Sequence, residues 1–540
     1  MDSYEKKKID TKRYKKVKKL LKKKFGYDEF RPLQYKIINN ILNEKDVTAI
    51  LPTGYGKSLC FQIPALYTKE PVIVVSPLIS LMQDQMELMK KIGVKTCCYN
   101  SRLTMQERDE VKCDILDGLY DIIYITPESI MSNESFIKKM HNECGIALFA
   151  IDEAHCISSY GHDFRPAYRQ LDTLRDICSN VPILAVTATA TEQVVNDMNK
   201  CMEMNGIVVK TTFDRPNLKL HVESKTDYAI YKIIDTIKKS DGANIVYCVT
   251  KKMTDSTGLK LKLKGIKAGI YHADLSNEER SETQKKFMDG TITTIVATIA
   301  FGMGINMSNV RNVFHFGCPK NIESYYQEIG RAGRDGKESN CWLFYSTYDF
   351  VIQQKIIDST RDEVRKATMM RLLDVMSRFI NTSGCRRKYI LEYFGDKSSK
   401  DTCKMCDNCL ELKDIKKGEL SKGNQDLIDK SGNDMYRLLS VVKDINCSLG
   451  VNNIIGVVRG SKSKKIPERF YKIRFYGAGK DANLAYWKKL YGYVVSYKYI
   501  ESFPVKPMIY VPRVTDKARK FLQDYKFNEK NDKLQDLSFE

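Results

Sequence analysis

The stretch Ala150-Ile-Asp-Glu-Ala-His155 joins an apolar strand to two carboxylates and a histidine. Upstream of it, Leu51-Pro-Thr-Gly-Tyr-Gly-Lys-Ser58 follows another apolar run, Val47–Ile50, and precedes a helical pattern. A phosphate loop and a strand-terminal Asp-Glu pair together supply the groups that hold ATP and Mg²⁺ and that activate water. The two stretches therefore predict an ATPase built on a parallel α/β sheet.

Each residue type in these two motifs suits a chemical task. Lys57 would neutralise phosphate oxygens, and Ser58 and Asp152 would ligate Mg²⁺, Asp152 directly or through water. Glu153 would act as general base. Leu51 stands where the strict loop pattern has glycine, so the loop alone could be coincidental, and the carboxylate pair alone could merely cap the next helix. The prediction rests on the two motifs together. The predicted phosphate-binding residues are Thr53, Gly54, Gly56, Lys57 and Ser58.

Composition indicates a large globular protein with a polyanionic partner. The 540 residues exceed one ordinary core, and 43% hydrophobic and 29% charged residues are globular proportions. Lys and Arg (88) exceed Asp and Glu (67), which gives a net charge of +21. Such a surplus favours nucleic acid as partner, although abundant lysine can also reflect coding bias.

Neither a membrane span nor a secreted fold is expected. No run approaches the roughly 18 apolar residues of a membrane span, and the start lacks a secretory signal. Most of the 16 cysteines stand singly in apolar context, as Cys60 and Cys248 do, which is typical of reduced core thiols. We expect a soluble intracellular protein, with nucleus and cytoplasm left open.

The chain from 25 to 346 alternates between apolar runs and helical patterns. This rhythm is typical of βαβ units and predicts a parallel sheet covered on both faces. It occurs once over 25–209 and again over 210–346, which predicts two α/β domains. The expected strands are Val47–Leu51, Val72–Val75, Ile122–Ile125, Ala147–Ile151, Ile183–Val186, Ile245–Val249, Ile292–Ala297 and Val313–Phe316.

The segments outside these domains have other patterns. Residues 1–24 hold twelve Lys or Arg and predict a basic amphipathic helix, which could be a nuclear address, a DNA contact or a solvated face. Residues 347–412 read as helical and contain clustered cysteines. A lysine-rich linker over 413–433 is expected to precede a winged helix over 434–525 and a tail over 526–540.

The second α/β domain ends with Gln327-Glu-Ile-Gly-Arg331-Ala-Gly-Arg334. Two arginines three residues apart would lie on one face of a helix, where they are usually surface charges. An ATPase of two domains, however, needs cations that stabilise the γ-phosphate in the transition state. We therefore predict that Arg331 and Arg334 are arginine fingers, and we place Gln327 with the catalytic residues.

The motifs together resemble those of the RecQ family of superfamily-2 helicases. The resemblance runs from about Phe25 to Leu522, and the segment Ser159–Pro166 and the downstream cysteines point to RecQ in particular. In chain order the matching motifs are FRPLQ, LPTGYGKSLCFQ, VVSPLISLMQDQ, IDEAHCIS, LAVTATA, IVYCVTKK, VATIAFGMGIN and YYQEIGRAGRDG.

The resemblance implies a fold and an activity. The fold would be two RecA-like parallel-sheet domains, a small helical zinc-binding module and a C-terminal winged helix. The activity would be ATP- and Mg²⁺-dependent 3′–5′ translocation on single-stranded DNA with unwinding of duplex or forked DNA, in recombination, repair or replication. Protein partners and pathway stay open.

The resemblance also assigns residues around the nucleotide. Gln34 resembles the family's adenine reader, with Tyr27 and Arg31 available to stack on the base, although these side chains could simply pack a helix start. His155, Thr187 and Thr189 resemble residues that relay the nucleotide state. The motif around Gly302 and Gly304 departs from relatives at Asn306 and Met307, where aspartate and lysine are common.

The residues Tyr160–Arg165, called the aromatic loop below, resemble the family's sensor of single-stranded DNA. Stacking of bases on aromatic rings is the physical reason for such a loop. Relatives generally have tryptophan where this chain has Tyr160, and the smaller ring should weaken coupling. The predicted DNA-contacting residues of this loop are Tyr160, His162, Phe164 and Arg165.

Four cysteines are predicted to hold zinc. Cys403, Cys406 and Cys409 have the short spacing of a thiolate site, and Cys385 lies upstream on a helical stretch. Four thiolates would make a closed structural Zn²⁺ site, and the RecQ-like spacing agrees. A coincidental cluster or an iron–sulfur site are the alternatives.

The predicted winged helix offers further nucleic-acid contacts. The stretch Ile454–Lys465 is expected to start a helix whose Arg459 and Lys462 face duplex phosphates. The alternating run Tyr493–Val511 is expected to form the wing, with Tyr499 or Phe503 near its tip as a wedge against the terminal base pair. A strand tyrosine more often packs in a core.

Two other functions are compatible with the motifs. Because the core motifs are shared among RNA and DNA motors, an RNA helicase is possible, although the aromatic loop, zinc module and winged helix argue against it. The departures at Tyr160, Asn306 and Met307 also allow an ATP-switched clamp or annealing factor that does not unwind.

Overall fold

A computed structural model describes residues 11–225, 228–302, 307–382, 384–396, 401–410, 419–497, 499–506 and 509–528. The chain divides into two compact units, Met1–Met376 with Cys385–Cys406 and Ser377–Gly384 with Asp407–Glu540. No helix in these ranges combines the length and apolarity of a membrane span. The predictions for Gly304, Asn306 and most of the tail lie outside the described residues.

The first α/β region contains a seven-stranded parallel sheet with strand order β3-β4-β2-β5-β6-β1-β7. Its inner strands are buried, because apolar helix faces cover both sides. Strands β1, β5 and β6 are neighbours, so their carboxyl ends meet at one edge. The strands are β1 Val47–Ile50, β2 Val72–Val75, β3 Thr96–Tyr99, β4 Ile122–Ile125, β5 Leu148–Ile151, β6 Ile183–Thr187 and β7 Ile207–Lys210.

The helices of this region begin with the predicted basic one, whose Val17 and Leu21 pack against Ile38 and Ile63. The helices are Thr11–Leu20, continued by a π-helical turn over Leu21–Phe25, then Gln34–Ile41, Leu59–Thr68, Ile79–Lys91, Met105–Leu116, Pro127–Met131, Glu134–Cys144, Pro166–Arg169, Leu174–Ile177 and Glu192–Cys201. Short 3-10 turns cover Ala154–Ile157 and Gln170–Thr173.

The second α/β region contains a six-stranded parallel sheet with order β10-β11-β9-β12-β13-β8. The strands are β8 Leu218–Ser224, β9 Ala243–Cys248, β10 Ala268–Tyr271, β11 Thr294–Ala297, β12 Val310–Phe316 and β13 Ser339–Tyr345. The helices are Ala229–Lys238, Lys251–Leu263, Asn277–Met288 and Ile322–Ile329, and a helical module follows with Thr347–Asp358, Glu363–Asn381 and Arg386–Tyr393.

The second unit is a small helical domain with a two-stranded antiparallel wing. Its core includes the fully buried Trp487, Leu490 and Val494. The helices are Glu419–Ile445, Val451–Val458, Leu484–Ser496 and Asp516–Asp524, with a 3-10 turn over Glu468–Lys472, and the wing strands are β14 Ile500–Lys506 and β15 Ile509–Val514.

Three local predictions in this unit are wrong. From Glu419 onward the expected linker is helical, with a kink at Ser431. The stretch Ile454–Lys465 ends a helix instead of starting one, because the chain leaves the helix at Arg459 and Gly460 has φ 74°. Tyr493 belongs to a helix, since Trp487, Leu490 and Val494 are buried at helical spacing.

Candidate active site

A cavity of about 580 Å³ lies at the edge where β1 and β5 end. Every residue predicted from the sequence to bind or hydrolyse ATP lines it. These residues are Tyr27, Arg31, Gln34, Thr53, Gly54, Gly56, Lys57, Ser58, Asp152, Glu153, Gln327, Arg331 and Arg334. The size suits a nucleotide.

The phosphate loop takes its shape from two glycines and from Gln34. Gly54 and Gly56 have φ of 79° and 86°, a region that L side chains rarely adopt. A Cβ at Gly56 would also lie 2.6 Å from Nε2 of Gln34. Leu51, which departs from the loop consensus, is fully buried, and its side chain packs in the hydrophobic core of the first α/β region.

The Gln34 amide is bonded directly to the phosphate loop. Its Nε2 donates to the carbonyl oxygens of Tyr55 (3.1 Å) and Gly56 (3.0 Å), and its Oε1 accepts from the Arg31 N–H (2.8 Å). Arg31 donates to the Gly54 carbonyl, and Tyr27 is 57% exposed beside the cavity. Gln34 can read a base only by exchanging some of these bonds.

The carboxylates extend from β5 toward the loop. Glu153 Oε1 lies 4.0 Å from Lys57 Nζ, and Glu153 Oε2 lies 3.3 Å from Nδ1 of His155. The Asp152 carboxylate accepts from the Glu153 N–H (3.0 Å), and its backbone carbonyl accepts from the Tyr168 hydroxyl (3.1 Å). Asp152 and Ser58, the two predicted Mg²⁺ ligands, both line the cavity.

The two carboxyl groups have pKa values that are shifted in opposite directions. Burial raises the pKa of Asp152 to about 6, and the neighbouring Glu153 charge adds to this rise. Burial would also raise the pKa of Glu153, but Lys57 and His155 outweigh it and lower this pKa to about 2. Glu153 is therefore ionised at neutral pH.

Arg331 and Arg334 enter the same cavity, but the helix predicted to carry them is wrong. The helix ends at Ile329, and both arginines lie on the turn that follows, where Gly333 has φ 56°. Arg334 packs on the phosphate loop, since a Cβ at Gly54 would lie 3.3 Å from its Cγ. Burial, with Arg331 and Arg215 nearby, lowers the pKa of Arg334 to about 10.

A continuous series of contacts joins Glu153 to the second α/β region. His155 Nδ1 lies 2.9 Å from the Thr187 hydroxyl, which accepts from the Thr189 N–H at 3.2 Å. The Thr189 hydroxyl accepts from Gln327 Nε2 at 2.9 Å. The three predicted relay residues and Gln327 thus form one path between Glu153, the predicted general base, and the helix Ile322–Ile329.

The aromatic loop lies directly beside this path. The His162 ring stacks on the His155 ring, with centroids 4.4 Å apart, and Tyr160 is 42% exposed. Arg165 donates to the Pro77 carbonyl (2.9 Å). His162 was predicted to contact DNA, but its side chain is buried here, whereas Tyr160 is exposed and Phe164 is half-buried.

The four predicted zinc ligands converge. The sulfur atoms of Cys385, Cys403, Cys406 and Cys409 lie within 4.8 Å of one another. A tetrahedral site with Zn–S bonds of about 2.3 Å would separate the sulfurs by about 3.8 Å, so the cluster fits a zinc ion after slight contraction. Backbone N–H groups of Lys388 and Cys406 already donate to Cys385 and Cys403.

The winged-helix predictions separate into exposed and buried groups. Lys462 is exposed, whereas Arg459 donates to the Ala482 carbonyl at 3.2 Å. Tyr499 is only 3% exposed and packs on Phe521, so its predicted role as a wedge is wrong. Phe503 lies on β14 with the Arg513 guanidinium 3.9 Å from its ring centroid.

Sequence reasoning missed several residues of the site. Leu81, Gln85 and Leu88 from the helix Ile79–Lys91 line the nucleotide cavity. A signal was present for Leu81 and Gln85, because the motif VVSPLISLMQDQ runs from β2 into the first half of this helix, whereas Leu88 lies beyond the motif. Arg365, which contacts the aromatic loop, had no sequence signal because its partners lie some two hundred positions earlier.

Family models match nearly the whole chain in succession. A DEAD/DEAH box helicase model matches residues 31–198, and a helicase conserved C-terminal domain model matches 226–336. A RecQ zinc-binding model matches 347–410, and an RQC domain model matches 433–535. Together with the cavity, these matches define an ATP-dependent helicase with a zinc-binding domain.

Similar proteins specify the family. The chain is 35% identical to the ATP-dependent DNA helicase RecQ of Haemophilus influenzae over 87% of this chain and 74% of that protein. It is 44% identical to the putative ATP-dependent RNA helicase R290 of Acanthamoeba polyphaga mimivirus, covering 96% of this chain and 94% of that one. The protein belongs to the RecQ family.

Other comparisons agree on domain content and fold. The bifunctional 3′-5′ exonuclease/ATP-dependent helicase WRN of Mus musculus is 36% identical over 93% of this chain, which spans 37% of that protein. The structure of S. cerevisiae Dbp5 bound to RNA and ADP BeF3 aligns with a TM-score of 0.50 at 18% identity, covering 67% of this chain and 99% of that one.

Proposed function

We propose that this RecQ-family protein is a DNA helicase that moves 3′ to 5′ along single-stranded DNA and separates duplex or forked DNA. Several relatives are named ATP-dependent DNA helicases, and this chain covers most of the length of three of them. The polarity follows from the family resemblance. A role in recombination, repair or replication is part of the same proposal.

The observation that carries this proposal is the path from Glu153 through His155. On one side it reaches Gln327 of the second α/β region, and on the other it reaches His162 of the aromatic loop. Nucleotide-driven motion between the two regions would thereby change the surface that meets the strand. This arrangement suits an enzyme whose ATP hydrolysis depends on the bound DNA strand.

The proposed contacts to DNA use the exposed Tyr160 and Lys462 together with half-buried groups beside them. A base stacked on the half-exposed Tyr160 ring would gain about 1–3 kcal/mol whatever its sequence. Phe164 and Arg165 would support the same strand, while Lys462 and Arg459 would hold duplex phosphates. Phe503 on the wing is the proposed wedge that meets the terminal base pair.

The proposed chemistry assigns one task to each group at the cavity. Lys57, Arg331 and Arg334 would neutralise charge on the phosphates, with Gln327 linking them to the relay path. Glu153 would orient the attacking water, and Ser58 and Asp152 would hold Mg²⁺. The four cysteines would hold zinc as a structural ion.

An RNA helicase is the second candidate function. The viral relative at 44% identity is named a putative ATP-dependent RNA helicase. Activity on an RNA fork that equals or exceeds activity on a matched DNA fork would favour this candidate over the first.

Fork separation tests the proposal. We expect wild type to separate a DNA fork with ATP, and Lys57→Ala to lose about 100-fold or more, as expected when a charge-stabilising group is removed. Lys45→Ala, at an exposed lysine before β1, is the matched control and should retain activity.

Two outcomes contradict the proposal. If no DNA fork is separated in an ATP-dependent way, the DNA-helicase function is wrong. If ATP changes DNA retention without strand separation, the protein is a switched clamp or annealing factor.

A further inference from the structure

Arg365 holds the backbone of the aromatic loop from the helical module. Its Nη1 donates to the carbonyl oxygens of Ser159 (3.3 Å) and Gly161 (2.6 Å), and its Nη2 donates to the carbonyl oxygen of His162 (3.1 Å). Its guanidinium carbon lies 6.0 Å from the Phe164 ring centroid. One side chain thus contacts four residues in and beside the loop.

The position of Arg365 is fixed by the start of its helix. The helix Glu363–Asn381 begins two residues earlier, and the Asp362 carboxylate accepts from the Arg365 N–H at 3.0 Å. A side-chain cap of this kind orders the first helical turn. The guanidinium is therefore presented to the loop by a regular element.

The charge of Arg365 faces neutral acceptors. The three hydrogen bonds of its guanidinium go to carbonyl oxygens. The carboxylates of Asp163 and Asp362 act on its charge from nearby, while Asp163 lies 3.7 Å from Arg165 and Asp362 caps the helix. Arginine–phosphate pairs are frequently bidentate and are stronger than hydrogen bonds to neutral groups. A DNA phosphate beside the loop would therefore compete well for this guanidinium.

The bond to His162 links this contact to the nucleotide site. The His162 ring stacks on His155, whose Nδ1 lies 3.3 Å from the Glu153 carboxylate. While the loop is held, the stacked His162 ring keeps His155 beside Oε2 of Glu153, and this oxygen has no hydrogen-bond partner within the part of the chain that the structure describes. Movement of the loop would free His155 to turn away and leave that oxygen for the attacking water.

We propose that Arg365 is a positioning residue that latches the aromatic loop in the DNA-free protein and so suppresses hydrolysis until a strand takes its place. This proposal rests on the proposed function, in that a strand is the ligand that opens the latch. It adds to that function a specific residue outside the nucleotide cavity and outside the loop itself.

The test compares ATP hydrolysis with and without a single-stranded DNA oligonucleotide in the zinc-loaded full chain. We expect Arg365→Ala to raise the DNA-free rate about fivefold or more, in the range of ordinary allosteric coupling. Because the DNA-saturated rate should change little, the activation ratio falls by the same factor. Arg365→Lys, which keeps a cationic donor, should give an intermediate ratio.

Two controls separate a latch from a general structural effect. Arg361→Ala removes an exposed arginine four residues earlier and should leave both rates unchanged. Tyr160→Trp provides a fluorescent reporter in the loop, and in this background Arg365→Ala should lower the DNA-free anisotropy because the released loop moves more freely. Melting temperature and zinc content establish that each variant is folded.

The proposal is overturned if Arg365→Ala leaves the DNA-free rate unchanged, or if it lowers only the DNA-stimulated rate. A folded Arg365→Ala variant in which the anisotropy of the Tyr160→Trp reporter does not change also refutes it. These readouts require no strand separation, so a protein that fails on DNA forks can still show the latch. If the protein acts on RNA, the same comparison with a single-stranded RNA oligonucleotide tests the latch.

Discussion

Glu153 has an unusual backbone conformation for its residue type. Its φ and ψ are 48° and 43°, the left-handed region, which costs a non-glycine residue on the order of 1–3 kcal/mol. The strain persists because β5 fixes the chain before Glu153 and the turn Ala154–Ile157 fixes it afterwards. The conformation directs the carboxylate toward Lys57 and His155.

Glu153→Gln is predicted to abolish hydrolysis while leaving nucleotide binding. Glutamine keeps the size of the side chain but cannot accept a proton, so the rate should fall by about 10²–10⁴-fold. Steady-state ATPase rates and equilibrium binding of fluorescent ATP measure the two effects. The exposed Glu143 provides the control Glu143→Gln, and parallel loss of binding and hydrolysis would contradict the assignment.

At the residue scale, the sequence predicted the lining of the cavity well, because most of its functional residues follow the carboxyl ends of buried strands. Lys57 and Asp152 are local continuations of β1 and β5, and parallel strands bring their ends together. Arg331 and Arg334 were placed correctly in the cavity but on the wrong element, since the bend depends on Gly333. Arg365 could not be predicted, because its role depends on contacts made only in the folded chain.

At the scale of elements, the strands that the sequence missed lie mainly at sheet edges. β3 and β7 are the edges of the first sheet, and β8 and β10 are the edges of the second. The edge strands β7, β8 and β10 are partly exposed, and in β8 polar residues interrupt the apolar run, as Leu218–Ser224 shows. The central strands, covered on both faces, gave clear apolar runs.

The wing offers a paired prediction about Phe503 and Tyr499. Phe503→Ala should lower the rate of fork separation several-fold and spare DNA-stimulated ATPase, because a wedge acts only on the duplex. Tyr499→Ala should instead lower thermal stability by about 3–5 kcal/mol of unfolding free energy, as for a buried aromatic. Gel-based unwinding assays, ATPase rates and melting curves measure these effects. An equal loss of fork separation and DNA-stimulated ATPase in Phe503→Ala would refute the wedge role of Phe503.

The cysteine cluster is predicted to depend on metal. Cys406→Ser removes one thiolate from a closed site, so bound zinc should fall below one ion per chain and the melting temperature should fall by about 5 °C or more. Metal analysis and thermal melting measure these changes. Cys113→Ser, at an exposed cysteine outside the cluster, should change neither. A Cys406→Ser protein that melts like wild type would contradict the structural role.

At the scale of the whole catalytic unit, a direct polar contact joins the two α/β regions beside the nucleotide cavity. Gln327 Nε2 to the Thr189 hydroxyl, at 2.9 Å, is the contact that continues the relay from Glu153. Thr189 is buried on the first region, and Gln327 is half-buried on the second. Loss of this bond should therefore affect coupling more than folding.

Thr189→Val is predicted to reduce DNA-stimulated ATPase about tenfold, within the usual range of coupling energies. Valine fills the same space but removes the hydroxyl acceptor, and the partly exposed Gln327 can turn to water. Thr191→Val is the control, because the Thr191 side chain makes no cap hydrogen bond to its helix. An unchanged DNA-stimulated rate in Thr189→Val would exclude this contact from the relay.

The bonds from Gln34 to the phosphate loop affect how a nucleotide enters. Because this amide already holds the carbonyl oxygens of Tyr55 and Gly56, the backbone that meets the phosphates is ordered in advance. Little conformational entropy then remains to be lost on association. Nucleotide association should therefore be fast. Discrimination among bases should appear in the dissociation rate, because Gln34 must break its hydrogen bonds to adenine and form its bonds to the loop again before the nucleotide leaves.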